Sequence, residues 1–142
     1  MSSPRQRHAG GCQCGAVRYQ VAGPLRQVVA CHCTQCRRIT GHYLAATAAR
    51  RSDFSLTSER ALRWYDSSAG AQRGFCGECG ATLFWQARGR DYISIAAGSL
   101  DDAAGLKIVC HIFCADKGAY YEIEPGARQI ADGNFSVPIP EG

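Results

Sequence analysis

The sequence has no long apolar run. Its longest small-apolar stretch, Leu44 to Ala49, is six residues long and includes Thr47. A membrane-spanning helix needs ~20 such residues, so no span is expected. The opening MSSPRQRHAGG has no apolar centre and does not read as a secretory signal. Its two arginines are too few for a transit peptide. Lysine is scarce too, with two against 14 arginines. The basic residues are scattered and are not interleaved with aromatics in one stripe, which disfavours nucleic acid as a partner. Charged residues make up 20% and hydrophobic ones 46%, a balance that excludes disorder and points to one packed domain.

What the sequence does have is cysteine, nine in 142 residues. With no export signal, a cytoplasmic, reducing setting is expected, where thiols stay thiols. An odd count also leaves one cysteine over in any complete pairing. Metal binding is therefore the leading explanation. The formal charge of +4 is unevenly spread, with +8 over residues 1–73 and −4 over residues 74–142. Such a basic half can attract a small polyanion.

Short strand-like runs alternate with Gly, Ser, Asp and Cys turns. Val17, Tyr19 and Val21 alternate with polar residues, as a half-buried strand requires. Further strands are expected at Leu44–Ala48, Phe54–Thr57, Leu62–Tyr65, Thr82–Gln86, Tyr92–Ala97, Ile108–Phe113 and Tyr120–Ile123. Only Thr34–Thr40 reads as a helical turn. The fold class is thus mainly β, built of short antiparallel strands. Residues 1–9 read as an N-terminal arm, 10–131 as one zinc-binding domain and 132–142 as a C-terminal tail.

Seven cysteines fall into three tight motifs, Cys12-x-Cys14, Cys31-x-Cys33-x-x-Cys36 and Cys76-x-x-Cys79. Such spacing lets one turn of backbone aim two or three sulfurs at one point. Zinc accepts thiolates at about 2.3 Å in a tetrahedron. Seven sulfurs divide into a closed set of four, Cys12, Cys14, Cys76 and Cys79, and an open tripod, Cys31, Cys33 and Cys36. A closed zinc site is structural, whereas an open one keeps a position for water or substrate. A fourth protein ligand, Cys110, Cys114, His111 or His32, would close the tripod and make it structural as well. An iron–sulfur cluster on the set of four is the other alternative, although C-x-C with C-x-x-C is not a typical ferredoxin run.

The remaining residues get blander readings. Cys110 and Cys114 read as packed thiols. His111 reads as a packed histidine with a satisfied hydrogen bond, and His32 as pointing away from its two neighbouring ligands. Trp64, Trp85, Phe75 and Phe84 read as core. Arg37 and Arg38 directly follow the tripod, and their guanidinium forks could hold substrate carboxylates. Gln35, Thr40 and Gly41 could line the same pocket. With seven thiolates and two Zn²⁺ the formal charge would fall from +4 to +1.

The segments GGCQCGAVRYQV, CHCTQCRRITGHYL, YDSSAGAQRGFCGECGATLFW, AAGSLDD and HIFCADKGAYYEI follow one another in order. This succession, over roughly residues 10–125, resembles the glutathione-dependent formaldehyde-activating enzyme family, which includes centromere protein V. The resemblance implies an Mss4-like fold with folded sheets and zinc knuckles. It implies a structural zinc on Cys12, Cys14, Cys76 and Cys79, and a substrate-side zinc on Cys31, Cys33 and Cys36. It also implies an activity, the joining of formaldehyde to glutathione as S-hydroxymethylglutathione; the reverse is a carbon–sulfur lyase reaction. A thiol-binding carrier without turnover, or a structural zinc module for interactions, is the competing expectation.

Overall fold

The computed structural model describes residues 6–142. It is mainly β, with ten strands in two sheets and one short α-helix. The smaller sheet holds β1 (Arg7–Gly11), β2 (Arg18–Ala22) and β5 (Phe54–Ser58) in the order β1-β2-β5, all antiparallel. The larger has seven strands: β3 (Val28–Cys31), β4 (Leu44–Arg50), β6 (Leu62–Ser68), β7 (Ala71–Cys76), β8 (Thr82–Ala87), β9 (Tyr92–Ala96) and β10 (Ile108–Ile112). Their order is β10-β3-β4-β9-β8-β7-β6, and only the β10–β3 pair is parallel. Among the described residues no helix is long and apolar enough to cross a membrane.

The two faces of the large sheet have different tasks. On one face Leu83, Phe84, Ile93 and Ile95 meet Tyr19 and Val21 of the small sheet in the main core. Tyr19, Phe54 and Phe84 form an aromatic triplet with ring centroids 5.2 to 5.7 Å apart. Edge and stacked geometries of this kind add to the burial of the rings. Cys12 and Cys76 lie in the same core. On the opposite face Arg73, Trp85 and Ser94 are cross-strand partners in one row, as strand alternation requires. That row becomes part of the floor of a cavity described below.

Most expected strands form close to their expected limits, and the helix α1 (Thr34–Thr40) forms over the expected residues. Cys33 caps its N-terminus, accepting the Cys36 amide on its sulfur, and Gly41 ends it in the left-handed conformation at φ 83°. Few residues other than glycine take that conformation without strain.

Several expectations are corrected. Residues 7–9 are not a loose arm, since Arg7–Gly11 pairs along β2. Residues 1–5 of that expected arm lie outside the described residues. Gly10 makes the pairing feasible, because a Cβ there would sit 2.4 Å from both the Tyr19 hydroxyl and the Ser99 carbonyl. Tyr120–Ile123 is no strand. Its tyrosines instead bond to the α1 region, Tyr120 donating to the Gly41 carbonyl at 2.8 Å and Tyr121 placing its hydroxyl 2.5 Å from His32 Nδ1. Residues 132–142 have no regular structure, yet they are not loose. Phe135 and Val137 pack on Val29, Cys110 and Ile112, and Arg50 donates to the Pro140 carbonyl at 2.9 Å. Trp64 is not core either; it lies on the edge strand β6, 37% exposed, with its ring against Phe84. Sequence reading also missed β1, β3 and β7.

Candidate metal centres and the adjoining cavity

The four cysteines of the closed set converge although they come from two distant turns. Cys12 and Cys14 sit at the β1–β2 turn, and Cys76 and Cys79 at the β7–β8 turn. All four sulfurs lie within 4.8 Å of one another. The Sγ separations are 3.7 Å for Cys12–Cys14 and 3.8 Å for Cys14–Cys76. A tetrahedron with zinc–sulfur bonds of ~2.3 Å has edges of about 3.8 Å, so the donors fit zinc dimensions. Backbone amides also aim at the sulfurs, from Val17 to Cys12 at 3.2 Å and from Glu78 and Cys79 to Cys76, each at 3.4 Å. Such donors favour the thiolate form that metals bind. The Cys79 thiol is held down at about 6, first by the Ala81 and Cys14 amides.

The second group comprises Cys31, Cys33 and Cys36, again with sulfurs within 4.8 Å of one another. Cys31 ends β3, Cys33 caps α1 and Cys36 lies buried in its first turn. The Cys33 thiol is pulled far below the ordinary range by the Cys31 and Cys36 thiols and by the Cys36 amide. No further Cys, His, Asp or Glu belongs to this group among the described residues. The residues weighed as a fourth ligand are engaged elsewhere. His32 is fully buried, with Nδ1 2.5 Å from the Tyr121 hydroxyl and Nε2 2.9 Å from His111 Nδ1. Burial, then the neighbouring His111, pushes His32 down to about 4, which keeps it neutral at pH 7. Burial lowers His111 as well. Cys110 is fully buried beside Val29 and Ile112. Cys114 is half-buried, and burial raises its thiol.

The tripod opens onto a cavity of about 400 Å³, within the usual range for small-molecule sites. Its floor is the free face of the large sheet, with Arg73, Trp85, Ser94 and Ala46. Phe113, just after β10, and Gly133 and Phe135 of the C-terminal segment also line it. Arg73, 7% exposed, donates from Nε to Gln35 Oε1 at 2.8 Å and from Nη2 to Cys36 Sγ at 3.5 Å.

Of the five expected substrate contacts, only Gln35 lines this cavity; Arg37, Arg38, Thr40 and Gly41 do not. The reason is helical geometry. With Cys36 turned to the cavity, the next two residues lie about 100° and 200° further round the helix. Thr40 is committed to the helix end, its single hydroxyl proton facing the Cys36 and His42 carbonyls, 2.9 and 2.8 Å from Oγ1, and Gly41 is the C-cap. The arginines at the cavity are Arg26, Arg73 and Arg90. None neighbours the tripod in sequence, and no motif marks them.

A mainly β protein with one closed and one open cysteine cluster, each able to hold a metal ion, is the class that fold and site define. Residues 7–116 match the family described as glutathione-dependent formaldehyde-activating enzyme, and the chain belongs to that family. The crystal structure of a Rhodobacter sphaeroides protein has the same fold at a TM-score of 0.54 and 22% identity, covering 86% of this chain and 98% of that one.

Proposed function

We propose that the chain is a zinc-dependent carbon–sulfur lyase-type enzyme, acting on glutathione adducts such as S-hydroxymethylglutathione in a cytoplasmic setting. The observation that carries this is the tripod, whose three sulfurs face a cavity and share no fourth donor from the described chain. Zinc on Cys31, Cys33 and Cys36 would supply a position that captures a thiol as its thiolate and lowers its pKa. In the synthetic direction the thiol sulfur bonds to the formaldehyde carbon, the C=O π pair moves to oxygen, and a proton equal to the one lost by the thiol ends there. The chain's residues orient this event. Arg73 holds Cys36 through its sulfur and Gln35 through its amide oxygen. Trp85, Phe113 and Phe135 limit water around the reacting atoms. Cys12, Cys14, Cys76 and Cys79 would hold a structural zinc that takes no part in the chemistry.

One observation favours thiol binding without turnover: among the described residues no Asp, Glu or His lines the cavity to relay a proton. The test covers both readings. Exchange between glutathione and S-hydroxymethylglutathione is followed by NMR with zinc-loaded protein, with Cys33→Ala and with buffer. Faster exchange with wild type alone supports the lyase. Equal exchange in all three, with saturable glutathione binding, leaves only the carrier.

A further inference from the structure

Among the described residues, the cavity over the tripod is lined by three arginines and by no acidic side chain. Two of these arginines are almost entirely buried, Arg26 at 6% and Arg73 at 7% exposure. Burying a guanidinium is costly unless an anion or a full set of acceptors faces it. Arg73 has a sulfur and an amide oxygen as acceptors. Arg26 has only backbone, with Nη2 donating to the Ala46 carbonyl at 2.9 Å and Nε to the Gln27 carbonyl at 3.2 Å. Its cationic face lies over the Phe135 ring, 5.4 Å from the centroid. The ion pairs among the described residues, Arg18–Asp101 and Arg60–Glu78, involve none of the three. Arg90, exposed, stands at the same cavity.

The surroundings are shaped to match. Trp85, Tyr92, Phe113 and Phe135 make much of the wall apolar, and a carboxylate bonded to a guanidinium there is screened less than in water. Phe113 holds φ 54°, the one positive φ of a non-glycine residue among those described. Its amide donates to the Asp132 carbonyl at 2.9 Å, and the Cys114 amide to the Ile130 carbonyl at 3.0 Å. The strained turn thus binds the C-terminal segment that brings Phe135 over Arg26. Strain of this kind persists where neighbouring contacts over-determine it.

We propose that Arg26, Arg73 and Arg90 make this cavity a carboxylate-selecting site, so that the chain takes thiols bearing a carboxylate and rejects neutral or cationic ones. This deepens the reading above and rests on the tripod facing a thiol substrate. The guanidiniums are specificity-determining groups; the bond changes stay with the sulfur and carbon. The contacts fall to arginines from β7, the β2–β3 connection and the β8–β9 turn, and Arg37 and Arg38 have no part in them.

The test is calorimetric titration of the full, metal-loaded chain with S-methylglutathione and with its diethyl ester. The methylated sulfur cannot be captured as a thiolate, so binding reads the remaining contacts. The acid is expected to bind at least about tenfold more tightly than the ester, the scale of a charge-assisted bond. Arg90→Gln should weaken the acid about tenfold and leave the ester unchanged, while Arg38→Gln binds both as wild type does. Arg73→Gln should act like Arg90→Gln; should it fail to fold, the exposed Arg90 decides alone. Equal affinities for acid and ester, wild-type affinity of Arg90→Gln for the acid, or no binding of either compound overturns the proposal. Selective binding of the acid with no catalysed exchange sinks the lyase reading and leaves this one standing.

Discussion

The closed and open cysteine clusters should differ in what their loss does to the fold, and a matched pair of substitutions measures the difference. Cys76→Ser and Cys33→Ser each replace sulfur by a smaller, poorer zinc ligand without opening a large cavity. In each case the hydroxyl can still accept the bonds now made to sulfur, from Glu78 and Cys79 at position 76 and from Cys36 at position 33. What changes is the cross-link. The closed set joins positions 62 residues apart in the chain, Cys14 and Cys76. Treated as a chain cross-link, a loop of that size stabilises by about 4 kcal/mol. The tripod spans only Cys31 to Cys36, and the same relation assigns it about 2 kcal/mol. For a domain of this size each kcal/mol moves the melting temperature by roughly 3–4 °C. Cys76→Ser should therefore melt roughly 15 °C below wild type and Cys33→Ser roughly 7 °C below. The assay is melting by circular dichroism beside metal stoichiometry by mass spectrometry, with two ions expected in wild type and one in each variant. The reasoning fails if Cys33→Ser melts as low as Cys76→Ser, or if Cys76→Ser keeps both ions.

Two further outcomes follow from the core. The Tyr19 phenol is pushed up to about 12, chiefly by burial. A folded pKa above the unfolded value of about 10 gives stability that is intact below pH 10 and lost as pH rises through 12. Tyr19→Phe should flatten the fall in melting temperature between pH 10 and pH 12, and should cost about 1 kcal/mol at pH 7 through the lost bond to Ser99. A wild-type-like alkaline profile in that variant would contradict the assignment. Gly10→Ala should destabilise by about 1–3 kcal/mol in urea unfolding, because its Cβ would lie 2.4 Å from the Ser99 carbonyl. Gly98→Ala is the control, with nothing within 4 Å of its Cβ, and should unfold near the wild-type midpoint.

The clusters were legible because metal ligands leave local signatures. Two or three sulfurs must reach one ion from a single turn, so their spacing is written within six residues. Dividing the seven into four and three needed only counting, and the sulfurs are grouped that way. Strands with clear alternation were legible for a similar reason, as with Tyr19 and Val21 turned inward on β2. β3 was missed because Val28–Ala30 is buried without alternation, a pattern that periodicity does not separate from buried helix. In β7, Gly74 interrupts the run, and it is there so that Phe84 and Trp64 can come within 3.0 Å of where a Cβ would stand.

The charged side of the cavity had no such local record. Arg37 was the natural choice because it adjoins Cys36, yet adjacency on a helix turns a side chain about 100° away. The cation that does reach Cys36 is Arg73, 37 positions later. It arrives because β7 follows β8, β9 and β4 across the sheet, and because Arg73, Trp85 and Ser94 share a register row. Register flips every side chain when shifted by one residue; the irregularity in the β7–β8 pairing skips Leu83 on β8, beyond the Arg73–Trp85 pair, and leaves that row intact. Three residues apart on one strand, side chains face opposite sides of the sheet, so β7 sends Arg73 to the cavity and Cys76 into the core beside the closed cluster. β7 therefore runs between the two clusters, ending at Cys76 of the closed one and carrying the Arg73 that contacts Cys36 of the open one. If the closed cluster holds a metal at the end of this strand, it helps fix the strand that carries Arg73, and losing the closed cluster should loosen carboxylate selection as well as the fold.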